Sequence, residues 1–188
     1  HGDIEVLAMD MKVEFHYVFK MLNCPVLPLN FAPYAEHLLK VLQELQAGAE
    51  TIREEFSLNS LLRRAEEFRD IARELEDKVR SIPKKGRASD SLREELNHCL
   101  LWVSRHINPV VHSDAGPTEQ LSMETFGATP FPRINEIKRL AEIGDPGKPE
   151  FQFLKTKLLR QRNAVEDGFY QANELIRKTL ERLRLLTL

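Results

Sequence analysis

The feature that most constrains the fold is an apolar stripe between positions 57 and 83, in the segment "SLNSLLRRAEEFRDIARELEDKVRSIP". Apolar residues recur there every three or four positions, which places them on one side of an α-helix and the charged residues on the other sides. Glu74 with Lys78 and Glu76 with Arg80 stand four residues apart, in the order that stabilises a helix. The segment is therefore predicted to be a helix that buries Leu58, Leu61, Leu62, Ala65, Phe68, Ala72, Leu75, Val79 and Ile82.

Three other segments repeat apolar residues at helical spacing. They are residues 30–53, a segment capped by Ser89 or Asp90 that stops before Pro109, and residues 149–186 with Phe153 or Leu154 inward. The pattern fails over residues 109–131, and a short helix closed by Gly144 follows. The sequence therefore predicts an all-α fold, a four-helix bundle with a long loop and a short helix between helices 3 and 4.

A cluster of prolines divides the chain near its start. Pro25, Pro28 and Pro33 lie in "NCPVLPLNFAPYAEHLL", and proline removes a backbone donor and disfavours helix in the residue before it. Residues 1–29 are predicted to be an N-terminal segment, either the end of a preceding domain or a linker, and residues 30–188 a helical domain. Within residues 1–23, the second half is predicted to be helical, while the first half fits either a strand or a disordered lead-in.

Composition narrows the classes of partner. The formal net charge is −2 and the isoelectric point is near 6.4, so neither nucleic acid nor an anionic membrane is an expected partner. No apolar run approaches the roughly 18 residues that a membrane span needs. The sequence therefore predicts no membrane contact by this chain.

Two short patterns raise the question of catalysis, and neither makes a site. A di-metal bundle needs Glu-x-x-His on each of two helices, and the chain has one match, "ELNH" at residues 95–98. The His-Ser-Asp run at 112–114 is adjacent in sequence, whereas the members of a catalytic triad converge in space. Cys99 falls on an apolar stripe and is predicted to be buried. The chain is therefore predicted to have no catalytic residues, no metal and no cofactor of its own.

The proline cluster and the segments after it resemble one family. "VFKMLNCPVLPLNFAPYAEHLLKVLQEL" is similar to the junction between the zinc-peptidase domain and the helical domain of the transferrin receptor and glutamate carboxypeptidase family. There, a "VLPF" or "VLPL" turn precedes a Tyr-Ala pair; here these are Val26–Leu29 and Tyr34–Ala35. "LNHCLLWVSRHINP" resembles the third helix of that domain, and "FPRINEIKRL" resembles its "FPGIYDAL" element. The resemblance covers roughly residues 18–180.

The resemblance implies a dimerisation domain separated from its peptidase domain. The zinc ligands and catalytic glutamate of such peptidases lie in that absent domain, so zinc is expected only there. The expected partners are a second copy of this chain and the peptidase-like domain of the same parent protein. The parent is expected to be a type II membrane protein with this domain on the lumenal, vacuolar or extracellular side, and the fragment itself is expected to be soluble.

The resemblance also implies that the long loop reaches toward the peptidase active site. Thr125 and Phe126 stand where the carboxypeptidase has a Lys-Tyr pair that recognises a terminal glutamate. Threonine offers no cation and phenylalanine no hydroxyl, so specificity for glutamate is not expected. The Arg-Gly-Asp motif of the receptor is also absent, so transferrin binding is not expected.

The leading hypothesis from the sequence is a non-catalytic homodimerisation domain. Its interface candidates lie at the margins of the predicted apolar stripes, where each is equally placed to belong to the edge of the core: Leu101, Trp102, Phe151, Leu159 and Tyr170. The alternative is a monomeric helical adaptor that binds a peptide or helix of a protein partner in a groove, with residues 109–131 as a lid.

Overall fold

A computed structural model describes residues 3–81, 87–113 and 130–186. This part of the chain is all-helical, which confirms the all-α part of the predicted fold class. Its elements are α1 (Ile4–Asn23), α2 (Ala32–Ala47), a short 3-10 helix (Glu50–Ile52), α3 (Asn59–Ser81), α4 (Arg87–His112), α5 (Ile137–Ile143) and α6 (Pro149–Leu186).

The longest helix, α6, organises the packing. It contacts both α3 and α4, while α2 packs against α3, and α5 packs against α6 and the 3-10 helix. The stripe predicted for α3 is largely buried: Leu61, Ala65, Phe68, Ala72 and Leu75 all face the core. The α3 helix therefore buries the side that its apolar pattern predicts.

A chain of phenylalanine rings crosses the core. Phe68 of α3 meets Phe169 of α6 edge-on, with ring centroids 5.5 Å apart. Phe31, just before α2, lies 6.3 Å from Phe68, and Phe131 lies 6.2 Å from Phe169. Because Phe31 and Phe131 belong to connecting segments, the rings fasten those segments to the helices.

The prediction that the helix now numbered α4 stops before Pro109 is wrong. The helix continues through Pro109 to His112. Proline removes one backbone hydrogen bond from the helix interior, but the residues beyond it are held by tertiary contacts. Val111 is fully buried, and its carbonyl accepts a hydrogen bond from the Phe131 amide at 2.7 Å.

Other boundaries differ by a few residues. The helix predicted over 30–53 ends at Ala47, because Gly48 and the 3-10 helix interrupt it, and α4 begins at Arg87, before Ser89. In α6, Leu154 is the inward residue and Phe153 is exposed. Gly144 ends α5 in the left-handed conformation, at φ 62°, as predicted.

Within the N-terminal segment, Ile4–Asn23 form one continuous helix, so the strand and the disordered lead-in considered for its first half do not occur over these residues. The Asp3 side chain caps α1 by accepting a hydrogen bond from the Glu5 amide at 2.9 Å. All of α1 is described, and it buries none of its residues. The α1 helix therefore contributes no side chain to the buried core.

Candidate interaction surfaces

The α1 helix exposes an apolar stripe along one side. Its members recur every three or four residues, and each is at least half exposed: Ile4, Leu7, Met11, Phe15, Val18 and Leu22. Phe19 flanks this stripe, and its ring stacks on that of Phe15 with centroids 6.2 Å apart. This spacing is that of a helix face that packs against another element.

The opposite side of α1 is apolar as well. Val6, Met9, Val13 and Tyr17 follow the same spacing and are all exposed. At about 100° per residue they lie roughly opposite the first stripe. A helix that is apolar on two sides is typical of one buried inside a larger structure.

The segment between α1 and α2 is fastened to α4 by one side chain. The Asn97 amide group donates to the Pro25 carbonyl at 3.0 Å, and its oxygen accepts from the Leu27 amide at 2.8 Å. Leu27 and Leu29 also pack on the core. The residues just after α1 are therefore part of the packed body, while α1 itself is not.

A half-open apolar cavity lies beside this segment, between α3 and α4. It has a volume of about 210 Å³ and is lined by Leu29, Leu75, Val79 and Leu100, among others. Pockets that hold drug-sized ligands are about 300–1,000 Å³. This cavity therefore has room for one or two side chains of a partner but not for a helix.

The outer side of α4 carries an exposed aromatic patch. Leu101 and Trp102 are exposed, and the Trp102 ring lies between His98 and His106, with centroids 6.0 and 6.1 Å away. The Arg105 guanidinium lies 4.8 Å from the centroid of the Trp102 ring. Tryptophan and arginine are the side chains that most often dominate protein–protein interfaces.

The other three interface candidates do not join this patch. Phe151 is fully buried, so of its two alternatives the structure favours the core: the first turn of α6 points it inward. Leu159 is half-buried against the core. Tyr170 is exposed, but its ring lies on the α3 side of α6, with its centroid 5.1 Å from the guanidinium carbon of Arg64. Of the predicted set, the structure brings together Leu101 and Trp102.

Thr125 and Phe126, the loop residues expected to face a substrate, lie outside the described residues. The described residues on either side of this segment are held by hydrogen bonds. The Arg133 side chain donates through Nε to the Ser113 carbonyl at 2.8 Å, and Ser113 is buried. The Tyr34 hydroxyl and Nε2 of His112 form a hydrogen bond of 2.6 Å across α2 and α4.

The Tyr34–His112 pair was missed by sequence reasoning, because 78 positions separate the two residues and neither carries a local signal. Burial raises the pKa of Tyr34 to about 12, so its hydroxyl stays protonated. Burial also lowers the pKa of His112 below its ordinary value of 6.5. The folded protein therefore favours a neutral imidazole next to the phenol.

Acidification is expected to weaken the fold through His112. Below pH 6.5 the unfolded chain binds a proton on this residue more readily than the folded chain, so the free energy of unfolding falls as the pH falls. The melting temperature should drop between about pH 7.5 and about pH 5.5, and by less in His112→Gln. His37→Gln, at an exposed position of α2, is the control. An equal drop in the wild type and in His112→Gln would contradict this.

The residues considered for chemistry serve other contacts. Glu95 accepts a hydrogen bond from Arg182 at 2.9 Å, and His98 lies against Trp102. Burial raises the pKa of Cys99 to about 11, so this buried thiol stays protonated and unreactive. Among the residues that the structure describes, no three His, Cys, Asp or Glu side chains are grouped so as to hold a metal ion.

Within residues 3–81, 87–113 and 130–186, no helix combines the length and the apolar character needed to cross a membrane. No protein-family model matches the chain, and no curated protein matches it.

Proposed function

We propose that this chain is a non-catalytic interaction module of a larger protein similar to the transferrin receptor and glutamate carboxypeptidase family. In this proposal α1 belongs to a preceding peptidase-like domain, and the remaining helices form a four-helix bundle that homodimerises. The observation that carries the proposal is α1, a helix with apolar side chains exposed on two sides, attached to a body that buries its own core.

The free energy of burying apolar side chains favours a partner that covers α1. Burying one large apolar side chain yields about 1.5–3 kcal/mol, so the two sides of α1 together leave well over 10 kcal/mol of burial unused. A single partner helix would cover one side. A folded domain covers both, and the resemblance supplies its identity, because the element before the "VLPL" turn is the last helix of the peptidase domain.

The same proposal assigns the remaining roles. Zinc and the catalytic glutamate belong to the peptidase-like domain, not to this chain. The parent is a type II membrane protein with this module on the lumenal, vacuolar or extracellular side. The second copy of the chain docks on the outer side of α4, where Leu101 and Trp102 are exposed.

The solution mass tests the homodimer. Light scattering over a concentration series is to be measured on the whole chain and on residues 23–188, which lack most of α1 and its exposed apolar side chains. The shorter chain is expected to approach twice its monomer mass. Since Trp102 is the one tryptophan of the sequence, its fluorescence should shift to the blue over the same concentrations as the ring becomes covered.

A matched pair of variants locates the interface. Trp102→Ala should weaken the dimer by at least about tenfold, as expected for a central aromatic residue. Phe153→Ala removes an even more exposed aromatic side chain, 82% accessible on α6, and should leave the dimer unchanged. A strict monomer at high concentration would overturn the dimer proposal and favour the adaptor alternative.

A further inference from the structure

We propose that the second copy docks antiparallel along the outer stripe of α4, with Glu94 of each copy facing Arg105 of the other. This inference rests on the proposed homodimer and adds the orientation and the contacts of its interface. It is carried by the spacing, the exposure and the charges of α4.

The outer stripe of α4 is an exposed mixed face with one apolar residue, Leu101, among polar and charged residues. Its members alternate at four and three residues and are all exposed: Glu94, His98, Leu101, Arg105 and Asn108. Trp102 stands beside it. The buried residues of α4 follow the same spacing on the opposite side of the helix: Leu96, Leu100, Val103 and Ile107. One helix therefore presents one stripe to the core and a second one to solvent.

The charges at the two ends of the stripe have opposite signs. Glu94 and Arg105 are eleven residues apart in sequence, about 16 Å along the helix. Their neighbours are engaged within the chain, since Arg93 bonds Asp90 and Glu95 bonds Arg182. In the described part of the chain, neither Glu94 nor Arg105 has an ion-pair partner.

In a two-fold symmetric dimer, these charges decide whether the two α4 helices run parallel or antiparallel. In a two-fold interface, if residue i of one copy contacts residue j of the other, then j also contacts i. Antiparallel α4 helices that cross midway between Glu94 and Arg105 form this pair twice and place His98 against Leu101. Parallel helices would oppose Glu94 to Glu94 and Arg105 to Arg105, which is unfavourable. Charge complementarity therefore selects the antiparallel arrangement.

The size of the stripe sets the strength of the contact. A stable interface buries about 800 Å² per partner, more than a single helix stripe of this length supplies. The dimer is therefore expected to dissociate in the micromolar range and to weaken at high salt, because the Glu94–Arg105 pairs lie at the exposed ends of the stripe.

Charge reversal on the full chain tests the arrangement. Glu94→Arg and Arg105→Glu should each weaken dimerisation by at least about tenfold, measured by sedimentation velocity, because each creates like-charge contacts. The double variant restores both pairs with their signs exchanged and should return to within about threefold of the wild type. Glu142→Arg and Arg160→Glu, at exposed positions of α5 and α6, are the controls and should dimerise like the wild type. Melting curves establish that each variant is folded.

The outcomes separate this inference from the proposed function. A monomeric wild type would overturn the homodimer itself. A wild-type dimer that neither single reversal weakens would leave the homodimer standing and overturn the α4 arrangement. Single reversals that weaken the dimer without rescue in the double variant would place α4 at the interface but overturn the Glu94–Arg105 pairing.

Discussion

Replacing Gly168 with alanine is expected to lower the free energy of unfolding by about 1–3 kcal/mol, the usual cost of overpacking a core. For a chain of this length, a loss of this size corresponds to a fall in melting temperature of roughly 3–10 °C. The expected sign is unusual, because replacing glycine by alanine inside an ordinary helix stabilises the helix by about 1 kcal/mol.

The close approach of α4 and α6 explains why alanine at position 168 should destabilise the protein. A Cβ atom on Gly168 would lie 2.7 Å from a methyl carbon of Val110 and 3.0 Å from the His106 carbonyl oxygen. Both methyl carbons of Val110 lie within 3.0 Å of the added Cβ, and the His106 oxygen is backbone. Relief therefore requires the two helices to move apart, and α4 carries the outer stripe on its far side.

Gly48→Ala is the matched control. Gly48 follows α2 with ordinary right-handed backbone angles, and an added Cβ would meet no atom closer than 3.5 Å. This variant should be neutral or slightly more stable than the wild type in chemical denaturation. If Gly168→Ala were also neutral, the spacing between α4 and α6 would have to be wider than the structure gives.

The sequence alone predicts the location and the inward side of a helix that buries one regular apolar stripe. The α3 pattern from Leu58 to Val79 predicts its location and its inward side, because repeated burial at a period of 3.6 leaves a strong signal. The end of α4 was mispredicted for the opposite reason. Pro109 is a local signal for a helix end, and it is overridden by the burial of Val111, a tertiary contact without a local signature.

The candidate surfaces were predicted less completely than the fold. Leu101 and Trp102 lie outside the buried apolar stripe of α4, and their exposure follows from helical geometry alone. Phe151 stands in the first turn of α6, where too few preceding residues define which side is inward, so the sequence left its burial open. The Asn97 bridge to Pro25 and Leu27 joins segments about 70 positions apart, and such a contact follows from the fold and not from spacing.

Removing residues 1–22 is expected to leave the melting temperature unchanged to within about 2 °C, since no residue of α1 is buried and exposed contacts contribute little. The same deletion should abolish most of the fluorescence of a dye that binds exposed apolar surface. Both measurements follow from one structural fact, which is that the apolar side chains of α1 are available to a partner and contribute nothing to the core.

A full-length control separates the apolar stripe from chain length. The triple variant Met11→Gln, Phe15→Gln and Val18→Gln keeps α1 but removes the centre of its exposed stripe. It should lose dye binding much as the deletion does, again with an unchanged melting temperature. A fall of more than about 5 °C in either variant would mean that α1 packs on the body in solution. Unchanged stability would instead place the boundary between α1 and the packed body at Asn23. The residues after α1 stay attached to the packed body without it, because Asn97 bonds the backbone of Pro25 and Leu27.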